Sequence, residues 1–231
     1  ISMMTCFEIS LEEPEKSDEE LLDMIRDQFE GFEWTVEGVK DRDEGIIPLR
    51  EESRVVTSVI EEKAKKILEE FCEENDADLI PADHTRQYPD TTLEGGVFED
   101  YKIALDIKTA RLKGNGRASS LTIGSYAGYF MEPEKKKQGC RLPYGAFNRH
   151  WVLAFLYNWD SSKDTIDMVD IQEIIVYPKW KIASKATGTG TTNHIGGVND
   201  VEDLKAGNGA FESKEEFEQF CKDLLSLRDF E

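Results

Sequence analysis

The chain has 231 residues, of which 39% are hydrophobic, so it can bury a core and is not an extended disordered chain. Its formal net charge of -20 excludes a uniformly basic protein of the kind that usually binds nucleic acid. No apolar run is long enough to span a bilayer, and the first residues lack the features of a signal peptide, so we expect no membrane contact.

The spacing of the four cysteines indicates in which cellular compartment the protein occurs. They are scattered along the chain and form no CxxC pair. This pattern favours free thiols over a zinc site or a disulfide framework. We therefore expect a cytoplasmic protein, because thiols stay reduced there.

Positive charge is concentrated in the middle of the chain. Residues 101–190 carry 14 Lys and Arg against 8 Asp and Glu, whereas the first 100 residues carry 10 against 30. One basic region within an acidic protein is compatible with binding to DNA phosphates.

The N-terminal third contains two helix signals. Ser17 to Glu20 has the form of a capping box before apolar residues at helical spacing, which predicts a short helix. The segment from Ser53 to Glu74 predicts a long helix with one apolar stripe. Glu61 lies at the edge of that stripe, where a solvated surface glutamate is the simpler interpretation. Between the helices, Trp34 to Val36 suggests a short strand.

The next segment is the candidate site. Tyr101 to Thr109 alternates apolar and polar residues, which predicts a strand with Asp106 and Lys108 on one face. Tyr88 to Leu93 suggests a second extended segment, and the turn at residues 94–96 would bring Asp90 towards Asp106. Two carboxylates and one ammonium suit a Mg²⁺ site. An ordinary surface hairpin with an Asp/Lys pair is the alternative.

The remaining elements alternate between strand and helix. Trp151 to Trp159 predicts a buried strand, with a helix reaching back to Phe147 as the alternative, and His150 is expected to be a packed core histidine. Two further strands are predicted at residues 171–177 and at Trp180 to Ala183, and a helix follows the capping box at 213–216. The fold class predicted is α/β, with a mixed central β-sheet flanked by helices in a single domain over residues 1–231.

A segment rich in glycine and threonine runs from Thr187 to Gly197. Its glycines free the backbone, and its hydroxyl and amide groups can contact base edges. A phosphate-binding loop and a flexible surface loop are both alternatives, and the segment lacks the lysine of a P-loop.

Several motifs occur together in a characteristic order. They are Ile47-Pro48-Leu49, Tyr88-Pro89-Asp90, Asp106-Ile107-Lys108-Thr109, Leu121-Thr122-Ile123-Gly124-Ser125-Tyr126, Arg149-His150-Trp151 and Gly188-Thr189-Gly190-Thr191-Thr192. In this combination the chain resembles the EcoRV family of type II restriction endonucleases, within the PD-(D/E)xK nuclease superfamily. The resemblance covers about residues 34–220 and implies the restriction-endonuclease-like fold.

The resemblance also implies the chemistry of the site. Asp90 and Asp106 would bind Mg²⁺, Lys108 would assist the attacking water or stabilise charge, and Glu61 would be an auxiliary acidic residue. The backbone carbonyl of Ile107 would complete the metal shell. Mn²⁺ would substitute for Mg²⁺, and Ca²⁺ would support DNA binding without cleavage.

The implied partner is a short palindrome in double-stranded DNA, cut at its centre in both strands to leave 5′-phosphates and blunt ends. Base contacts would come from the recognition loop, at about 187–197, and phosphate contacts from residues elsewhere. The base-contact set is Gly188, Thr189, Gly190, Thr191, Thr192 and Asn193, and the phosphate-contact set is Arg86, Thr109, Arg111 and Lys113. Thr191 departs from the family pattern, which has an asparagine there, so the base read at this position is expected to differ.

The family also implies a homodimer without a protein cofactor. Its parts would be N-terminal helices and a dimerisation region at about 17–75, a catalytic sheet at about 85–183 and a C-terminal helix at about 213–228. Two other functions remain open from the residues. One is a repair or junction-resolving nuclease of the same superfamily, and the other is a non-catalytic acidic protein that mimics DNA.

Overall fold

The computed structural model describes residues 16–49, 52–84, 87–125, 129–187 and 194–228. The helices in these ranges are α1 (Asp18–Asp27), α2 (Ser53–Glu74), α3 (Lys179–Ile182), α4 (Val201–Ala206) and α5 (Lys214–Arg228). The strands are β1 (Val39–Asp41), β2 (Gly45–Ile47), β3 (Asp78–Pro81), β4 (Thr91–Gly95), β5 (Phe98–Lys113), β6 (Arg117–Ala118), β7 (Thr122–Ser125), β8 (Arg149–Trp159), β9 (Val169–Pro178), β10 (Ala183–Thr187) and β11 (His194–Gly197).

The two N-terminal helices form where the sequence predicts them. At α1 the capping box is complete, because the Glu20 N–H donates to Ser17 Oγ at 3.3 Å and the Ser17 N–H donates to Glu20 Oε2 at 2.8 Å. The long helix α2 buries one stripe at spacings of three and four residues. That stripe consists of Val56, Ile60, Ala64, Leu68, Phe71 and Cys72. Each fully buried Ile or Leu contributes about 2 kcal/mol to folding, so packing holds this helix in place.

The central sheet is mixed, as predicted. Its strands follow the order β3-β4-β5-β8-β9, and β6 pairs with the far end of β5. The β5–β8 pairing is parallel, and the other pairings in this sheet are antiparallel. The buried segment around Trp151 is therefore a strand, and the helical alternative is excluded. This arrangement places β5, with its charged residues, in the middle of the sheet.

The central sheet separates two hydrophobic cores. The α2-side core contains Ile103, Leu105 and Ile107 of β5 together with the buried stripe of α2. The β7-side core contains Ala110 of β5 together with residues of β7, β11 and α5. Because side chains alternate along a strand, Asp106 and Lys108 share the face of Ala110 and point away from α2.

A second, three-stranded sheet covers the β7-side core. Its antiparallel order is β10-β11-β7. The predicted recognition loop extends to residue 197, but His194–Gly197 is strand β11, which corrects the end of that loop. Residues 188–193 lie outside the described residues. The strands on both sides of this segment are nevertheless paired with each other, Thr187 with Ile195.

Two predicted strands are wrong. Residues 34–36 are not a strand; the indole of Trp34 is buried instead and donates from Nε1 to the Thr165 carbonyl at 2.8 Å. The strand expected from Trp180 to Ala183 is mostly the helical turn α3, and β10 begins at its end. In α3 the buried residues are Lys179 and Ile182, which are three positions apart and share a helical face.

The described cysteines Cys72, Cys140 and Cys221 are buried free thiols, which agrees with the expectation from their spacing. Burial raises the pKa of Cys72 to about 11 and that of Cys221 to about 12. None of the helices in the described part of the chain is long and apolar enough to cross a membrane.

Candidate active site

The hairpin of β4 and β5 brings Asp90 and Asp106 together, as the sequence predicts. Asp90 immediately precedes β4, and the first residue of β4, Thr91, pairs with Leu105. The Asp90 N–H donates to Asp106 Oδ1 at 3.4 Å, and the Ile107 N–H donates to Asp90 Oδ2 at 2.8 Å. Both carboxylates are thus fixed by backbone groups of the opposite strand.

Lys108 completes the predicted trio. Its Nζ lies 2.9 Å from Asp90 Oδ2 and 3.8 Å from Asp106 Oδ2. Burial alone would lower the pKa of Lys108, but Asp106 and Asp90 more than reverse that effect and raise the pKa above its ordinary value. Lys108 is therefore an ammonium at neutral pH.

A fourth charged residue, Lys179 of α3, was not predicted as part of the site. Its Nζ lies 2.8 Å from Asp106 Oδ2, and both side chains are buried. Burial lowers the pKa of Lys179, which Asp106 partly offsets. Removing one partner of a buried ion pair costs about 3–5 kcal/mol, so Asp106 and Lys179 depend on each other. The sequence signal was limited to a lysine after a proline, far from the hairpin.

The two aspartates differ electrostatically. Burial and the neighbouring Asp106 carboxylate raise the pKa of Asp90. Burial acts in the same direction on Asp106, but the ammonium groups of Lys108 and Lys179 outweigh it and leave the pKa of Asp106 below its ordinary value. Asp106 is therefore the more firmly ionised carboxylate of the pair.

Glu61 lies near the trio and is already paired. It is part of α2, which packs on the opposite face of the sheet from Asp106, and its Oε1 accepts from Lys65 Nζ at 2.7 Å. Its charge nevertheless contributes to raising the pKa of Lys108, which places Glu61 within electrostatic range of the site. In this structure Glu61 is therefore linked electrostatically to Lys108 and pairs with Lys65.

A buried aromatic cluster lies next to Asp90 in the chain. The hydroxyl of Tyr88, two residues before Asp90, forms a hydrogen bond of 2.5 Å with His150 Nδ1. The His150 ring stacks on Tyr144 with 3.9 Å between ring centroids. Burial lowers the pKa of His150 far below its ordinary value, so the ring is neutral. His150 is thus the packed core histidine that the sequence predicts.

The residues predicted to contact DNA phosphates lie in three different settings. Thr109 forms a 2.7 Å hydrogen bond with Thr57 of α2, and the Arg111 guanidinium carbon lies 5.6 Å from the Trp159 ring centroid. Lys113 is exposed at the end of β5. Arg86, and the base-contact residues Gly188, Thr189, Gly190, Thr191, Thr192 and Asn193, lie outside the described residues.

The donor set at the hairpin fits a hard divalent cation. Asp90, Asp106 and the carbonyl of Ile107 are all oxygen donors, and Mg²⁺ is commonly held by one or two carboxylates with water completing its shell. Across the described ranges, no group of three or more His, Cys, Asp and Glu side chains is arranged to hold a metal ion. The fit therefore rests on two carboxylates, without a third from Glu61.

Comparison with known proteins identifies the family. The family model described as "Restriction endonuclease EcoRV" matches residues 30–228. The chain belongs to the EcoRV family of restriction endonucleases. Within it, the chain is similar to the type II restriction enzyme EcoRV of Escherichia coli, with 25% identity over 202 residues that cover 81% of each protein. The sequence-based resemblance is confirmed, and the protein is a type II restriction endonuclease.

A solved structure supports the fold of this EcoRV-family enzyme. The NlaIV restriction endonuclease matches with a TM-score of 0.52 and 15% identity, over 90% of this chain and 79% of that one. At this identity the likeness concerns the fold alone. It confirms a restriction-endonuclease fold built on a mixed central sheet.

Proposed function

We propose that this restriction endonuclease hydrolyses one phosphodiester bond in each strand of a short palindromic DNA duplex, with Mg²⁺ as cofactor, and leaves 5′-phosphates and blunt ends. The observation that carries the proposal is the convergence of Asp90, Asp106 and Lys108 in a member of the EcoRV family. These residues combine metal-binding oxygens with a fixed positive charge.

Asp90, Asp106 and the carbonyl of Ile107 are the groups proposed to hold the metal, and Glu61 is the proposed auxiliary acid. When bound, Mg²⁺ supplies a water of lowered pKa and positive charge beside the phosphate. Glu61 is held by Lys65 through a partly buried ion pair, which would have to open for Glu61 to reach the metal. Mn²⁺ is expected to replace Mg²⁺, and Ca²⁺ to support binding without cleavage.

Lys108 is proposed to stabilise charge. Asp106 and Asp90 raise its pKa, which favours the protonated form that donates hydrogen bonds. Its side chain is 25% exposed, compared with 6% for Asp106, so it is more accessible to an incoming phosphate. In this position the ammonium orients the attacking water or neutralises the charge that grows on the phosphate oxygens during in-line displacement.

The proposed recognition element is the segment from Gly188 to Asn193. Its support comes from the paired strands β10 and β11, which fix both of its ends. Its hydroxyl and amide groups suit contacts with base edges in the major groove. Because Thr191 replaces the asparagine of the family pattern, the proposed palindrome differs from that of the family at one base position. Arg86, Thr109, Arg111 and Lys113 are the proposed phosphate contacts.

We propose a homodimer in the cytoplasm. A palindrome has twofold symmetry, and two copies of one chain present two equivalent sites to its strands. The buried free thiols suit a reducing compartment.

One plasmid digestion tests the proposal. The protein is incubated with supercoiled plasmid in Mg²⁺, with a parallel sample in EDTA, over a range of salt concentrations. We expect discrete fragments in Mg²⁺ and intact plasmid in EDTA, and sequencing of the fragment ends gives the site and the cut position. Structure-dependent nicking without discrete fragments would indicate a junction-resolving or repair nuclease, and no cleavage at any salt concentration would reject both enzymes.

A further inference from the structure

The ion cluster contains two lysines in different environments. Lys179 Nζ lies 2.8 Å from Asp106 Oδ2, whereas Lys108 Nζ lies 3.8 Å from the same oxygen and 2.9 Å from Asp90 Oδ2. The side chains of Lys179 and Asp106 are 5% and 6% exposed, against 25% and 20% for Lys108 and Asp90. Each aspartate thus has its own ammonium, one buried and one in contact with solvent.

The protein encloses the Lys179 ammonium on several sides. The Tyr88 ring centroid lies 4.2 Å from Nζ, in the geometry of a cation–π contact. On β7, a Cβ added at Gly124 would lie 3.5 Å from Nζ, an ordinary van der Waals distance, so this strand packs close to the ammonium. Because the Lys179 side chain is only 5% exposed, releasing Asp106 would leave a buried charge without its partner.

The charges around the site are balanced before any metal or DNA is present. In their ionised forms, Asp90 and Asp106 contribute two negative charges and Lys108 and Lys179 contribute two positive charges. A divalent cation adds two positive charges to this balanced and partly buried group, and like charges oppose its entry. The phosphate of bound DNA brings a negative charge and relieves that opposition.

We infer that Lys179 is a positioning residue that holds Asp106 Oδ2 as a fixed counter-ion and weakens metal binding until a DNA phosphate arrives. The metal would then bind Asp106 through Oδ1, which also accepts the long hydrogen bond of 3.4 Å from the Asp90 N–H. The inference rests on the proposed function, because it takes Asp90 and Asp106 as the metal ligands. Lys179 acts through Asp106 and does not touch the DNA.

The test is direct Ca²⁺ binding to the DNA-free protein by isothermal titration calorimetry. Wild type is compared at neutral pH with Lys179→Met, which keeps most of the length of the side chain without its charge. Lys181→Met is the matched control, since Lys181 lies on the same helical turn and is exposed. We expect Lys179→Met to bind Ca²⁺ about tenfold more tightly and Lys181→Met to bind like wild type.

A second measurement tests whether Lys179 positions the Asp106 carboxylate as well as repelling the metal ion. At saturating Mg²⁺ the single-turnover cleavage rate of Lys179→Met is expected to fall by about tenfold or more, because a displaced carboxylate lowers the rate even when the metal is bound. Affinity and rate then move in opposite directions. Unchanged Ca²⁺ affinity in a folded Lys179→Met protein would show that Lys179 only fills space and would overturn the inference.

The double variant Asp106→Asn/Lys179→Met keeps the inference testable if Lys179→Met does not fold. It removes both charges, so no uncompensated charge remains buried. Recovery of a cooperative thermal transition in the double variant supports the ion pair. If single and double variants are equally unfolded, the loss comes from packing at position 179 and the inference is rejected.

The outcomes for Lys179 and for the proposed function can be told apart. If wild type does not cut plasmid but Lys179→Met binds Ca²⁺ more tightly, the proposed function fails and the role of Lys179 stands. If wild type cuts plasmid and the two proteins bind Ca²⁺ equally, only the role of Lys179 fails. If neither protein binds Ca²⁺, the inference is rejected.

Discussion

At the scale of single residues, the sequence predicts Asp90, Asp106 and Lys108 because their positions depend on local rules. Residues two apart on a strand share a face, and a tight turn returns the chain to its neighbour, so the trio follows from one hairpin. Lys179 could not be predicted in this way. Its contact with Asp106 depends on the position of the end of β9 relative to β5 in the folded sheet. The periodicity of side chains does not predict that position.

Removal of a proposed metal ligand or of the solvent-side lysine should stop cleavage and leave binding in place. We expect Asp90→Ala and Lys108→Ala each to lower the cleavage rate by at least about a thousandfold, equivalent to about 4 kcal/mol of transition-state stabilisation. DNA binding in Ca²⁺, measured by gel shift, should persist because phosphate contacts outside the trio remain. Lys163→Ala, in the exposed loop before β9, is the control with wild-type cleavage. If the Asp90→Ala variant still cleaves DNA, Asp90 is not a metal ligand.

At the scale of elements, length decides what the sequence can predict. The 22 residues of α2 carry enough turns for the apolar stripe to define the helix and its bounds. The four residues of α3 make one turn, and a polar and apolar alternation over four positions fits a strand as well as a helix. The helix α4 was missed for the same reason, since it has six residues and one buried side chain, Leu204.

The capping box of α1 should contribute measurably to stability. We expect Ser17→Ala to lower the free energy of unfolding by about 1 kcal/mol, because the helix loses the side-chain acceptor of the Glu20 N–H. Urea denaturation followed by circular dichroism measures the change. Ser53→Ala is the control, since Glu52 is the N-cap of α2, and it should change stability by less than about 0.5 kcal/mol. Equal effects would show that the capping box adds nothing.

At the scale of the whole molecule, the sequence predicts the class of fold but not its pairing. Alternating strand and helix signals indicate a mixed sheet flanked by helices. The choice of partner for β5 does not follow from its own residues, because β8 is separated from it by a long connection and either edge of a strand can pair. The same limit applies to the second sheet, where β7 joins β11 from a distant part of the chain.

The N-terminal hairpin offers a candidate surface for the proposed homodimer. Val39 of β1 and Ile47 of β2 are paired across the hairpin, and they are 56% and 44% exposed. Directly opposite residues share a face, so these two form one exposed apolar patch. Burial between two copies would remove that patch from water.

We expect wild type to sediment as a dimer and Val39→Lys/Ile47→Glu to sediment as a monomer. The double substitution replaces the apolar patch with an opposite-charge pair across the hairpin, so the hairpin itself is expected to be retained. Ile166→Lys changes an isoleucine of similar exposure outside the hairpin and should leave the dimer intact. A dimeric double variant would exclude the hairpin as the interface, and a monomeric wild type would contradict the proposed homodimer.

The pairing of β5 also sets an order in time for assembly of the site. The β4–β5 hairpin closes through a local turn, so Asp90 and Asp106 meet early. The other edge of β5 pairs with β8 at residues 46 positions away, and Lys179 follows only after β9. Because distant pairings form more slowly than local ones and domains fold as the chain emerges from its N-terminus, the paired aspartates exist before their buried cation. A growing chain therefore carries both aspartates for as long as it takes to synthesise more than seventy further residues, and throughout that interval Asp106 lacks its buried partner Lys179.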